Sequence, residues 1–441
     1  MINKNDESKK IRLYVKLIIG LLIIGGMISL IVTFFIFKTA SKKASEKWHE
    51  KKIIGGDMDY QLYWSMSLIS SGLGDIGEYL DTASRIKEDD YESWHKEWYK
   101  TAERMRTHAD KSLEGGHNVS AGEAYLRAAA YYRLADFYYA IDPDNPGYLE
   151  SAKKCERYFI KGMKLISAPM EVVEIPYQNT TLRGYFFRSS DAKDDAPVII
   201  VEPGFDAWAE EMVFVALAAN KRGYHCLLFN GPGQGMIVRE KNLKFKPDWE
   251  TVITPVVDYV ITISGVNPEK IALMASSMGG ALATRAVAYE HRINACILSP
   301  GYYDLYDAFL GALPEKLVKL ITKYPEVFDK LMISYLKKSW ELSHAIYVFG
   351  VDKPSELATG SKLYRYQDDI KKIRCNVLIM DGTAEEILGK GQPKKLFEKL
   401  ECPKTYMQFT SEDVAELHCQ VGALNFANER MFDWLDDNLK K

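Results

Sequence analysis

The chain has 441 residues, 47% hydrophobic and 27% charged, a globular composition that excludes wholesale disorder. Its 57 basic residues stand against 60 acidic ones, a net charge of −3, which leaves no electrostatic footprint for nucleic acid. Six cysteines (Cys155, Cys226, Cys296, Cys375, Cys402, Cys419) are scattered without a C-x-x-C pair, so neither a structural zinc site nor a disulfide framework is indicated.

After a charged tail at 1–16, Leu17 to Phe37 is a run of 21 residues without a charge. At 1.5 Å per residue such a helix spans a hydrocarbon core of about 30 Å, and the run exceeds the core of an ordinary signal peptide. The expectation is a single transmembrane helix that anchors the chain. Gly25 and Ser29 are four apart, a spacing that lets two such helices pack and makes a homodimer one partner reading. Lysines and an arginine flank the span almost equally (Lys4, Lys9, Lys10, Arg12 and Lys16 before; Lys38, Lys42, Lys43, Lys47, Lys51 and Lys52 after), so the positive-inside rule sets no orientation.

A Lys-rich tether follows at 38–57. From 58 to 168 the patterns are helical, which suggests a small all-α module. Between Ala121 and Ala140, Tyr125, Ala128, Ala129, Tyr132, Ala135 and Tyr139 recur at helical spacing, and Asp142-Pro143-Asp144-Asn145-Pro146-Gly147 ends the run. Tyr91–Ser112 and Tyr148–Ile166 also read as helices. The aromatic residues here (Trp94, Trp98, Tyr131, Phe137) are most simply core packing, with a substrate-facing wall as the alternative.

Residues 169–441 change texture. Short apolar runs at Val172–Tyr177, Leu182–Arg188, Val198–Glu202, Cys226–Asn230, Ile271–Ala275, Ala295–Ser299, Val377–Met380 and Thr405–Phe409 predict eight strands. Helical stretches such as Trp208–Lys221, Trp249–Ile263 and Met278–Tyr289 alternate with the later ones. This is the pattern of an α/β protein whose mostly parallel sheet is covered on both faces. Residues 301–372 break the alternation and read as a helical insertion capping one end of the sheet.

The strand Ile271–Ala275 runs into Ser276-Ser277-Met278-Gly279-Gly280, the strand–turn–helix setting of a nucleophile elbow. Positions two before and two after a nucleophile there must be small. Ser277 has Ala275 and Gly279; Ser276 would have Met274 and Met278. Ser277 is therefore the candidate, against the plain alternative of a helix-capping serine. A serine needs a base. His418 lies between the last strand and the terminal helix Leu424–Leu435, whereas His108 and His344 sit in helical stretches and read as half-exposed structural residues. The acid should follow Val377–Met380, where Glu385 comes three residues after Gly382; Asp381 and Glu386 are its rivals. Backbone N–H donors for an oxyanion would come from Met278 and from Phe205 in Pro203-Gly204-Phe205-Asp206. Neither a metal nor an organic cofactor is implied.

Together these residues resemble the α/β-hydrolase superfamily over 170–441. Phe229-Asn230-Gly231-Pro232-Gly233-Gln234-Gly235, Trp249 with Val256-Val257-Asp258-Tyr259, Ser277-Met278-Gly279-Gly280 and Glu416-Leu417-His418-Cys419-Gln420 are similar to one branch of it. That branch holds the 2,6-dihydroxypseudooxynicotine hydrolase, the FrsA-type esterases and fungal polyketide chain-shortening hydrolases. Glu123-Ala124-Tyr125-Leu126-Arg127-Ala128-Ala129 resembles its N-terminal cap. The resemblance implies an α/β-hydrolase fold roofed by the N-terminal helices and the 301–372 insertion. It also implies a Ser–acid–His hydrolase cleaving an ester, or a C–C bond beside a carbonyl, in a small-molecule substrate. Three departures stand out: Ala275 for the usual Gly, Glu385 for Asp, and a membrane segment the branch does not imply. An acyl-peptidase-like hydrolase and a catalytically inert, membrane-tethered interaction protein are the competing readings.

Overall fold

Asn145 caps the helix that follows the breaker cluster, accepting the Gly147 N–H at 3.0 Å, with Pro146 in the first turn where its missing N–H costs nothing. The computed structural model describes residues 48–440 except 192–194, 311–314, 337, 386 and 388–390. The expected membrane helix at 17–37 and its flanking tail lie outside the described residues. Among those described, no helix is long and apolar enough to cross a membrane. The chain divides at Lys52, and the described part of the first unit is a 3₁₀ turn at Trp48–Glu50.

The second unit, Ile53–Lys441, begins with helices α1 (Asp57–Ser67), α2 (Ile76–Ala83), α3 (Tyr91–Glu114), α4 (Asn118–Asp136) and α5 (Pro146–Leu165). Gly122 and Gly162 bring α4 and α5 together backbone to backbone. A Cβ on Gly122 would stand 2.9 Å from the Gly162 carbonyl oxygen, and one on Gly162 2.9 Å from that of Gly122. Trp94, Trp98, Tyr131 and Phe137 are buried in one apolar core that also takes in Trp208, Met236 and Trp340. The helix expected over Ala121–Ala140 stops at Asp136. The Phe137 carbonyl takes the Trp340 indole N–H at 3.0 Å, and a separate 3₁₀ turn follows at Tyr139–Ile141.

Eight strands follow: β1 (Met170–Tyr177), β2 (Thr180–Phe187), β3 (Ala196–Glu202), β4 (His225–Phe229), β5 (Val266–Ser276), β6 (Ala295–Ser299), β7 (Asn376–Gly382) and β8 (Lys404–Phe409). They form one sheet in the order β1-β2-β4-β3-β5-β6-β7-β8. β1–β2 and β2–β4 pair antiparallel, the rest parallel. Every residue of β3, β4 and β6 is buried, as strands covered on both faces must be. The covering helices are α6 (Val213–Asn220), α7 (Gly235–Glu240), α8 (Glu250–Val260), α9 (Gly279–Val287), α15 (Gln392–Lys399) and α16 (Leu424–Leu435). Between β6 and β7 the chain is helical, with α10 (Leu305–Leu310), α11 (Glu315–Lys323), α12 (Pro325–Leu336), α13 (Trp340–Phe349) and α14 (Pro354–Gly360).

The strand order places the site. From β3 the chain crosses to β4 on one side and then to β5 on the other, so the carboxyl ends of β3 and β5 lie side by side, with Glu202 opposite Ala275. In open α/β sheets, ligands bind at that point of divergence.

Candidate active site

The chain leaves β5 at Ser276 and turns so sharply that Ser277 adopts φ 54°, a left-handed conformation that costs a side-chain-bearing residue energy. Helix α9 starts two residues later and lifts the hydroxyl above the sheet edge. Ser277 is half-buried, so solvent reaches it. Behind it stands Gly204, where a Cβ would lie 2.7 Å from Ser277 Cβ. No larger residue fits between the β3 loop and the elbow.

Ser277 Oγ lies 2.8 Å from His418 Nε2, and His418 Nδ1 lies 2.6 Å from Glu385 Oε2. A carboxylate only accepts, so Nδ1 carries the proton and Nε2 receives the serine hydroxyl. The side chains of His418 and Glu385 are each 6% exposed. Burial pulls the imidazole's pKa down, but the Cys419 thiol and the Glu385 carboxylate outweigh it and hold His418 well above its ordinary value. The Ile387 N–H donates to Glu385 Oε1 at 2.8 Å and fixes the carboxylate's rotation. Of the rival acids, Asp381 accepts the Tyr406 phenol, and burial, the largest influence on it, raises its pKa. Glu386 lies outside the described residues.

The amide N–H groups of Phe205 and Met278 donate to no group among the described residues. Phe205 lies three residues beyond β3 and Met278 directly after Ser277, at the carboxyl ends of adjacent strands.

The histidine loop is tied to the strand ends by its next two residues. Cys419 and Gln420 both have positive φ, 54° and 53°. The Cys419 thiol donates to the Ser299 carbonyl at 3.2 Å and receives the Ser276 hydroxyl at 3.4 Å; Ser299 Oγ donates to Gln420 Oε1 at 3.0 Å. The same Ser299 carbonyl accepts the Ser277 N–H at 2.6 Å. The His-Cys-Gln run is therefore a clamp between the base and the elbow.

Four further residues border the site. Tyr60 on α1 donates its phenol to the His418 carbonyl at 3.2 Å. Arg133 on α4, buried, donates to Glu211 at 2.8 Å and to the Asp206 carbonyl at 2.6 Å, pinning the β3 loop. Burial raises the Asp206 carboxyl to about 6 against the pull of Arg133 and His418. His344 on α13 corrects an expectation. It is buried, not half-exposed: its ring stacks on Trp340 and its Nε2–H donates to the Phe205 carbonyl at 3.1 Å. Burial depresses its pKa to about 3 and keeps it neutral. Nothing in its spacing marked it, because α13 is apolar on most sides. His108 is exposed. Among the described residues no cluster of His, Cys, Asp and Glu could hold a metal ion.

Comparison with known proteins gives the same architecture. Residues 198–410 match the alpha/beta hydrolase family. The chain is 31% identical to hydrolase LUC6 of a Fusarium species over 386 residues, covering 82% of this chain and 92% of that protein. It is 31% identical to the 20-hydroxy-prefusarin hydrolase FUS2 of Gibberella moniliformis over 385 residues, covering 82% and 91%. The crystal structure of the 2,6-dihydroxy-pseudo-oxynicotine hydrolase superposes with a TM-score of 0.66 at 21% identity, covering 85% of this chain and 95% of that one. With relatives this similar over most of their length, and a family match running from β3 to just past β8, the chain belongs to the α/β-hydrolase family and is a hydrolase.

Proposed function

We propose that this hydrolase works through a Ser277–His418–Glu385 triad on an ester, or on a C–C bond beside a carbonyl, in a small apolar or aromatic substrate. The observation that carries the reading is the hydrogen-bonded chain Oγ–Nε2 at 2.8 Å and Nδ1–Oε2 at 2.6 Å. Ser277 attacks the carbonyl carbon while His418 takes its proton; Glu385 holds the imidazole's tautomer and balances the imidazolium. The Phe205 and Met278 amides receive the oxyanion. His418 then returns the proton to the leaving group, and water releases the acyl group from Ser277. The branch resemblance supports both ester and C–C substrates, and the aromatic side chains of the roofing helices favour an apolar one. The uncharged run Leu17–Phe37 supports a membrane tether at the N-terminus.

A fluorophosphonate probe tests the triad. The protein should label, and Ser277→Ala should abolish labelling while remaining folded; labelling that persists in the variant would rule Ser277 out as nucleophile. A chain lacking residues 1–37 should leave the membrane fraction and still label; retention in that fraction would refute the tether.

A further inference from the structure

Each carbonyl of the Pro203–Asp206 loop beyond β3 is held by a buried side chain from outside that loop. Gln234 Nε2 donates to the Pro203 carbonyl at 2.8 Å and to the Gly204 carbonyl at 3.0 Å. His344 on α13 donates to the Phe205 carbonyl at 3.1 Å, and Arg133 on α4 to the Asp206 carbonyl at 2.6 Å. Gln234, His344 and Arg133 are all buried.

Gln234 is the most tightly specified of the three. It is 1% exposed and stands just before α7 with extended backbone, φ −114° and ψ 152°. Its Oε1 accepts the Gly231 N–H at 2.8 Å, and its own N–H returns to the Gly231 carbonyl at 3.1 Å. A side-chain amide has two N–H donors and one carbonyl oxygen. Here both donors meet carbonyls and the oxygen meets an N–H, so a half-turn of the amide would set oxygen against oxygen.

The Gly204–Phe205 peptide is trans, and across a trans peptide the C=O and the next N–H point in opposite directions. Holding the Gly204 carbonyl on Gln234 therefore turns the Phe205 N–H away from Gln234. The nucleophile is close to the same peptide, since a Cβ on Gly204 would stand 3.3 Å from Ser277 Oγ. An oxyanion hole works because its donors are aimed before charge develops. A Gly204 carbonyl without its partner would let this peptide rotate and swing its N–H out of line.

We propose, on the basis of the triad and oxyanion reading above, that Gln234 is a positioning residue of the oxyanion hole. It fixes the Gly204–Phe205 peptide so that the Phe205 N–H faces the developing charge, and it does so without touching substrate or moving a proton. His344 and Arg133 hold the next two carbonyls and keep the loop from unwinding beyond that peptide.

The test compares Gln234→Met with the parent on an aryl ester and on its thionoester, in which C=S replaces C=O. Sulfur is a weak acceptor, so the thionoester gains little from aimed N–H donors and reports the rest of the machinery. Methionine keeps the length of the side chain and removes both donors. The expected result is a fall in kcat on the ester of between about tenfold and 10², no more than the loss of an oxyanion donor outright. KM should hold, and the ester-to-thionoester ratio of kcat/KM should fall by a similar factor. A ratio that stays at the parent's value, whether both activities fall together or neither falls, would make Gln234 a structural residue only and overturn the proposal. Fluorophosphonate labelling taken to completion counts the folded sites. Should the methionine variant fail to fold, Gln234→Glu is read by the same ratio, because it keeps the shape and the Gly231 contact but offers at most one proton to the two carbonyls. Failure of the underlying triad would look different, because Ser277→Ala would then still label.

Discussion

Replacing Glu385 by Gln keeps shape and removes charge. At the 2.6 Å contact, with charge centres about 1 Å further apart than the touching atoms, the imidazolium–carboxylate attraction at an effective dielectric constant of about 20 is about 5 kcal/mol. That energy is present when His418 is charged, as in the transition state, and absent in the neutral form that accepts the serine proton. Its loss therefore lowers kcat by between about 10³ and 10⁴. The amide also presents an N–H to Nδ1, which favours the tautomer protonated on Nε2, where no lone pair faces Ser277. The pH profile separates this from simple misfolding. His418 must be neutral to accept the serine proton, so kcat/KM rises with pH through its pKa, which Cys419 and Glu385 hold above the ordinary value against burial. Without the carboxylate one of the two raising influences is gone, and the acid limb of the residual activity should move to lower pH. Steady-state ester hydrolysis between pH 5 and 9 reads both quantities. Asp381→Asn, at the rival acid bonded to Tyr406, should cost less than about tenfold and leave the limb in place. If the asparagine variant shows the large loss and Glu385→Gln does not, the acid assignment is wrong.

His344→Phe should keep the ring on Trp340 and remove the donor to the Phe205 carbonyl, at a cost of about 1–2 kcal/mol in stability and a drop in kcat. Because His344 is neutral above a pKa of about 3, its pH–rate profile should overlay the parent's; a shifted limb would show that the residue titrates in the working range. Glu210, buried and accepting from Tyr185, is raised to about 7 by burial and then by Glu156. The folded chain holds a proton there that the unfolded chain releases near 4.5, so this contribution is full below that pH and lost as pH rises through about 7. Glu210→Gln should therefore stabilise the protein by up to about 3 kcal/mol at pH 8 and by little at pH 5. Equal melting shifts at both values would contradict the assignment.

Much of this was legible in the sequence for identifiable reasons. Strands such as β3 and β6 are apolar throughout because both faces are covered, so they stand out from their surroundings. The start of β5 did not, because Pro268 and Glu269 are exposed there and interrupt the apolar run, while Val266 pairs with Ala196 across a register irregularity. Ser277 could be named from the small residues flanking it in a strand–turn–helix elbow, Glu385 from its place three residues after Gly382, and His418 from its position between the last strand and the terminal helix. Tyr60 could not. The chain has 27 tyrosines, and what distinguishes this one is its contact with the His418 carbonyl, hundreds of residues away in the sequence.

One departure from the family pattern, Glu385 for Asp, has a physical explanation in the loops. A reacting constellation must be held to within about 0.5 Å, and side chains on free loops do not achieve this. Here the loops after β5, β6, β7 and β8 are bound to one another through backbone atoms. Ser299 O holds both Ser277 N–H and the Cys419 thiol, and the Ala384 N–H donates to Glu416 O at 2.9 Å, joining the acid loop to the histidine loop. With the backbones fixed, the acid's length becomes a matter of local fit. Glu385 makes a turn back to the Gly382 carbonyl at 3.0 Å, and its longer side chain reaches His418 while the Ile387 N–H stops its far oxygen from rotating away. An aspartate on this backbone would fall one methylene short. Glutamate in place of aspartate thus reflects where the β7 loop is anchored, and the relay beside Ser277 keeps the same contacts.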